Sequence, residues 1–156
     1  MTSGDRPRPC PIRRAAPRDL DRLVDLDESV FGLESLTRSQ LYHYVTRSPS
    51  LLWVAVTPSD LVVGMTLVGL RRGRSFARID SLLVDVAFRR RGIARALLHR
   101  AIQTAEQERL KAVILEVEPK NRNAIELYHD EGFEALELVA DYYGSGRPAL
   151  RMRLEL

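Results

Sequence analysis

The chain has 156 residues, 45% hydrophobic and 29% charged, enough apolar material for one folded core, too little for two, and too much for a disordered chain. Twenty-four basic against 21 acidic side chains leave a net charge of +3, too small an excess to point to nucleic acid. One cysteine, Cys10, excludes an internal disulfide and a multi-cysteine metal centre; no stretch nears the ~18 apolar residues of a membrane span and no apolar leader is visible, so the expectation is a cytoplasmic protein with no membrane partner and no metal.

Residues 1–11 are rich in Pro and Arg and read as a loose tail, with one folded domain over 12–156. Ile12–Ala16 reads as a first strand. Pro17 suits a helix start, and Leu20, Leu23, Val24, Leu26, Val30 and Phe31 make an apolar stripe after it. Thr37 or Ser39 caps a second helix carrying Leu41, Tyr44 and Val45. Leu51–Val56 is a strand, with Trp53 expected in the core. Pro58, Ser59 and Asp60 turn the chain into a strand over Leu61–Leu70. A turn around Gly73 leads to a long strand over Ser75–Val86. From Gly92 to Leu110 the apolar positions 94, 97, 98, 101, 102 and 105 follow a helical period. Ala112–Glu118 is a short strand. Asn121 caps a helix that runs to Asp130, and Gly132 ends it. Phe133–Asp141 and Ala149–Leu154 close the chain as a strand pair. The order β-α-α-β-β-β-α-β-α-β-β predicts a single α/β domain built on a mixed central sheet.

Charge is distributed unevenly. No acidic residue falls between Val86 and Ala105, where Arg89, Arg90, Arg91, Arg95 and Arg100 cluster, whereas Glu116–Glu137 holds seven carboxylates. The arginines sit where a strand ends and a helix begins. A helix N-terminus already carries free N–H groups and the positive end of the dipole, so further cations there are unfavourable unless an anion is bound. Arg89, Arg90, Arg91, Gly92, Ile93, Ala94 and Arg95 therefore read as an anion site suited to a pyrophosphate, with Gly92 and Ala94 leaving the backbone approachable. The segment matches neither a Walker loop nor the three-glycine dinucleotide fingerprint.

The R-x-x-G-x-A pattern in this loop, the preceding Ile79–Val86 (IDSLLVDV) and the following Leu115–Phe133 (LEVEPKNRNAIELYHDEGF) resemble the GNAT superfamily of N-acetyltransferases. Within it they are similar to the ribosomal-protein-alanine and N-terminal acetyltransferases. The tail Asp141–Gly144 and Ala149–Met152 resembles the same group, while Glu28–Val45 departs from the alanine enzymes. The resemblance implies the acyl-CoA N-acyltransferase fold and acetyl-CoA as cosubstrate. It also implies direct attack by an amine in a ternary complex, pantetheine paired to the backbone of Leu82, Leu83 and Val84, and pyrophosphate held by Arg90–Arg95.

Glu116 interrupts an apolar strand, and strand alternation places it with Ala112, Ile114 and Glu118 on one face. A carboxylate among apolar neighbours has a raised pKa, and Glu118 adds like-charge repulsion, which suits a general base. Its other reading is a residue at the strand's wet end; the resemblance favours the base. Asn121, Ala124, Ile125 and Tyr128 share one helix face. Tyr128 alone reads as a core tyrosine, and the resemblance makes it the proton donor to the departing thiolate, with Asn121 bonded to the cofactor. Asp80, Tyr142 and Tyr143 are candidates for contact with the acceptor. The acceptor expected is a protein N-terminal α-amine; a small-molecule amine, a protein lysine, or a CoA-binding module without catalysis are the alternatives.

Overall fold

A computed structural model describes residues 10–156. Seven strands form one sheet in the order β1-β2-β3-β4-β5-β7-β6. They are β1 (Ile12–Arg14), β2 (Leu51–Val56), β3 (Val62–Gly69), β4 (Phe76–Val84), β5 (Ala112–Val117), β6 (Glu134–Val139) and β7 (Ala149–Glu155). Four helices, α1 (Leu20–Phe31), α2 (Arg38–Thr46), α3 (Ile93–Gln107) and α4 (Arg122–Asp130), complete the fold. Every neighbouring pair is antiparallel except β4 and β5. A parallel pair needs a crossover, and α3 provides it.

The helices cover both faces of the sheet, so β3 is buried along its whole length. On one face Leu98, Ala101 and Ala105 of α3 and Tyr128 of α4 pack on Ala77, Ile79, Val113 and Leu115. On the other, Leu20, Leu23 and Leu26 of α1 and Leu41 of α2 pack on Leu52, Val54, Met65 and Leu67. Leu98 is fully buried, and truncating such a leucine to alanine costs about 2–5 kcal/mol. Gly64 lets α3 sit close to the sheet. A Cβ there would lie 3.0 Å from Leu97 Cδ1 and 3.2 Å from Ile93 Cγ2, so the bare backbone fixes where the N-terminus of α3 rests.

Local chemistry sets the element ends. Asp19 accepts from Ala16 N at 2.7 Å and takes both arms of Arg13 at 2.7 and 2.9 Å, which ties β1 to the start of α1. These bonds outweigh burial, the largest single influence on Asp19, and hold its carboxyl below the ordinary value. Thr37, rather than Ser39, caps α2 in a reciprocal box with Gln40. The strand expected to reach Val86 stops at Val84, because Asp85 accepts from Ala87 N at 2.9 Å and starts a single 3-10 turn over Val86–Phe88. Arg22 of α1 holds Asp85 at 2.6 Å. The helix expected to reach Leu110 ends at Gln107, and Arg109 turns left-handed at φ 56. Trp53 is partly buried, and its indole donates to Thr104 of α3 at 3.1 Å. Most of the expected tail, residues 1–9, lies outside the described residues; Cys10 packs beside Ile12 against a small apolar cluster, and Pro11 O accepts from Val56 N at 2.9 Å.

Candidate active site

The site forms where the parallel pair comes apart. β4 and β5 pair only from Phe76 and Ala112 to Ile79 and Leu115. β4 then runs on to Val84 and β5 to Val117 without pairing. A bulge marks the divergence: Leu67 faces Ser81 and Val68 faces Ile79, so Asp80 is an extra residue in β4. The bulge shifts the alternation by one. Ile79 and Leu82 therefore both contact the α3 side, while Leu83 packs with α1 and α2. Leu82, Leu83 and Val84 bond β3 along one edge and present the other edge to the gap. Ser81 Oγ is buried there without a hydrogen-bond partner.

Beyond Val84 the chain passes through Arg89–Gly92 into α3. Arg90 (φ 65) and Gly92 (φ 77, ψ 9) are left-handed and flank Arg91, an alternation that turns successive N–H groups into one hollow. No side chain caps α3, so the N–H groups of its first turn are open as well. The loop borders a cavity of about 200 Å³ closed on the far side by Leu127 of α4. Arg91 lies 5.0 Å over the Phe88 ring. Arg89, Arg90 and Arg91 enter no ion pair among the described residues, whereas Arg95 is drawn to Glu131 and Asp130 at the end of α4. Thus four predicted arginines line one region, but one of them is already matched by carboxylates.

Tyr128 packs on the α3 side of the sheet, in one cluster with Leu115 and Val117 of β5. It is 8% exposed, packs edge-on against Phe133 at 5.8 Å, and burial alone pushes its phenol up to about 12. Asn121 spends Oδ1 on capping α4, accepting from Ala124 N at 3.2 Å; its amide nitrogen remains available to donate.

Glu116 lies on the opposite face of β5, and its surroundings differ from the expectation. Its side chain is 3% exposed, yet its neighbours are charged rather than apolar. Arg78 of β4 forms an ion pair with it, and Arg151, its register partner on β7, lies at 3.6 Å. Arg151 also bonds Glu137 at 2.7 Å. Glu118, expected to crowd Glu116, turns outward to Arg147 at 3.5 Å. β5 ends at Val117, so Glu118 lies beyond the strand whose alternation was used to place it, and the pattern gave no sight of the arginines around Glu116, which come from strands remote in sequence.

The open end of the gap is rimmed by the β6–β7 loop. Tyr142 and Tyr143 pack edge-on at 4.9 Å. Burial first, and then Tyr142, Glu118 and Tyr128 nearby, push the Tyr143 phenol up to about 12. Arg147 from this loop reaches Glu34 in the α1–α2 connection at 2.5 Å, and both Arg147 and Tyr143 border a cavity of about 220 Å³ with Glu118 and Lys120. Glu34 and Arg147 were not singled out from the sequence; they are 113 residues apart, and no local signal links them. Asp80 lies instead at the other end, in a cleft with Arg71, Arg74 and Arg78. Among the described residues no group of three or more His, Cys, Asp or Glu is arranged to hold a metal ion, and no helix is long and apolar enough to cross a membrane.

The arrangement has known counterparts. A family model described as the acetyltransferase (GNAT) family matches residues 19–133. The chain is 30% identical over 151 residues to an uncharacterized protein of Mycobacterium leprae, covering 94% of this chain and 41% of that one. It is 29% identical over 140 residues to N-alpha-acetyltransferase 30 of Xenopus laevis, covering 88% and 50%. The chain thus spans half or less of these two relatives. Among solved structures, a chain of the NatC complex bound to Gag peptide and CoA superimposes with a TM-score of 0.82 at 21% identity, covering 96% of this chain and 99% of that one.

Proposed function

Because the chain belongs to the acetyltransferase (GNAT) family, we propose that it moves an acetyl group from acetyl-CoA to a protein N-terminal α-amine. What supports this reading is that β4 and β5 part just where β5 carries Glu116 and β4 runs on toward the uncapped, arginine-rich N-terminus of α3, with Tyr128 of α4 packed in the same cluster as Val117 at the end of β5. Acetyl-CoA supplies the activated acetyl thioester. The N–H groups around Gly92, with Arg89, Arg90 and Arg91, hold its pyrophosphate, and the free edge of Leu82–Val84 pairs with the pantetheine amides. Arg95 contributes less than its neighbours, since Glu131 and Asp130 already occupy it. Asn121 donates to the cofactor through its amide nitrogen.

Glu116 takes the proton of the incoming ammonium, while Arg78 and Arg151 fix its position. A backbone N–H near Val84 donates to the acyl oxygen as negative charge develops there. Tyr128 delivers a proton to the leaving sulfur and regains one from the nitrogen, which sheds its second proton as the amide forms; its raised pKa keeps the phenol protonated at every working pH. An α-amine titrates near ~8 and a lysine near ~10.4, so the first is easier to deprotonate at neutral pH. Tyr142, Tyr143 and the Glu34–Arg147 pair at the mouth offer contacts to a peptide backbone that a small amine cannot use. The relatives named as N-alpha-acetyltransferases support the same acceptor.

Release of CoA with three acceptor sets tests the reading: peptides with free N-termini, the same peptides blocked at the N-terminus with an internal lysine, and polyamines. The first set is expected to give the highest kcat/KM. A polyamine acetylated faster than every peptide would overturn the acceptor assignment.

A further inference from the structure

One feature that the transfer step leaves unused is a cleft of about 490 Å³ on the α1–α2 face, where the β3–β4 turn meets the end of α2 and the Ser48–Ser50 loop. Arg78 forms part of its wall and is also the partner of Glu116, so one side chain joins the cleft to the candidate base. We propose that this cleft reads a carboxylate carried close to the reacting amine, making peptide N-termini with Asp or Glu at the first or second position the favoured acceptors. The proposal rests on the acetyltransferase reading above.

The cleft is organised to receive an anion. Arg74 is pinned in place: Nε donates to Phe76 O at 3.0 Å, Nη2 donates to Gly69 O at 2.8 Å, and the guanidinium lies 4.6 Å over the Phe76 ring. A guanidinium has five N–H donors in a rigid fork. Two are spent on carbonyls and none on a carboxylate among the described residues. Arg71, exposed on the rim, likewise has no ion pair among the described residues. Burial, and after it the neighbouring Arg78 and Arg71, lower the Arg74 pKa below its ordinary value. The cleft's own carboxyl, Asp80, is pushed the other way by burial, toward its neutral form. It rests on the bare backbone of Gly69, where a Cβ would meet its Oδ2 at 2.3 Å. One carboxyl so placed does not balance Arg71 and Arg74, since Arg78 is engaged by Glu116.

Geometry limits how far the recognised carboxylate lies from the amine. Gly69 is the register partner of Arg78, and strands are about 4.8 Å apart. Glu116 lies on β5, one strand beyond β4, so the Arg74 fork bound to Gly69 O stands about two strand spacings, roughly 10 Å, from it. An acidic side chain at position one or two, with hydrogen bonds of about 3 Å to the amine side and to the guanidinium, spans that distance. A free dicarboxylic amino acid carries the same chemistry, so both sources belong in the test.

Matched peptides with Asp or Asn, and Glu or Gln, at positions one and two are assayed beside free aspartate and glutamate. The acidic peptides are expected to exceed their amides in kcat/KM by about tenfold or more, with the free amino acids below them. Arg74→Gln should shrink that acid-to-amide ratio to within about threefold. Because Arg74 also secures its turn, Arg71→Ser, an exposed change, provides a second variant and should lower the ratio too. Arg72→Ser, one residue along and outside the cleft, should leave it intact. Equal rates for acid and amide peptides would overturn the inference and leave the acetyltransferase reading standing. Acetylation of none of the acceptors would overturn both. Free amino acids outrunning every peptide would overturn the peptide source.

Discussion

The loop before α3 and the strand ends around Glu116 treat charge in opposite ways. Arg89, Arg90 and Arg91 stand without carboxylates beside open backbone N–H groups, whereas Arg78, Glu116, Arg151 and Glu137 form an unbroken series of opposite charges across β4, β5, β7 and β6. A region that leaves its charges unmatched is completed by a ligand from outside. A region that matches them holds a side chain in place. The first suits the phosphates of a cofactor, and the second fixes the position of Glu116. Tyr128 belongs to neither region and carries no charge of its own, its phenol pushed up to about 12 by burial.

The largest expected effect falls on that neutral group. Tyr128→Phe removes one hydroxyl from a packed ring, so stability and CoA affinity should change little while kcat falls about 10²–10⁴-fold; pre-steady-state and steady-state rates with one peptide check this. The phenol titrates near 10 in the unfolded chain and about 12 when folded. Its contribution to stability is therefore full below pH 10 and disappears between 10 and 12. Wild type should lose stability relative to Tyr128→Phe across that window, and denaturant melts at pH 9 and 11 read the difference.

The matched region is tested by unmatching it. Arg78→Met leaves Glu116, 3% exposed, beside Arg151 alone, and removing one member of a buried pair costs about 3–5 kcal/mol. A loss of about 3 kcal/mol in urea unfolding is expected, together with a slower reaction. An unchanged midpoint would mean that the charges do not hold Glu116. The unmatched region responds differently. Gly92→Glu puts a negative side chain and a strained left-handed residue at the hollow, and the Kd for CoA should rise tenfold or more with the peptide KM unaffected; calorimetric titration measures it. The smallest change is expected from Arg147→Ala. Exposed ion pairs contribute about 0–1 kcal/mol, so the melting temperature should hardly move, while the peptide KM rises a few-fold through loss of the clasp to Glu34.

These two regions also differ in how they are written in the chain. The loop is local: its arginines, Gly92 and the start of α3 are consecutive, so the conflict between cations and a helix N-terminus is visible in a dozen residues. The same holds for the Thr37–Gln40 box and for the Asn121 cap. The charged series is not local. Glu116 lies 38 residues from Arg78 and on a different strand from Arg151, so alternation along β5 showed which way it faces but not what it meets. The bulge at Asp80 is hidden for a related reason, since it exists only as a register shift against β3. The sequence pattern carries β4 on to Val86, while the Asp85 cap and the hold of Arg22 end the strand first.

The most direct test of the central claim uses one peptide that has both a free N-terminus and an internal lysine, incubated with acetyl-CoA and the enzyme. Fragmentation mass spectrometry of the product then shows which nitrogen carries the acetyl group. The account predicts the α-amine as the main site in wild type, with the product nearly absent in Tyr128→Phe. Acetylation mainly at the lysine, or equal product from the Tyr128→Phe enzyme, would contradict it.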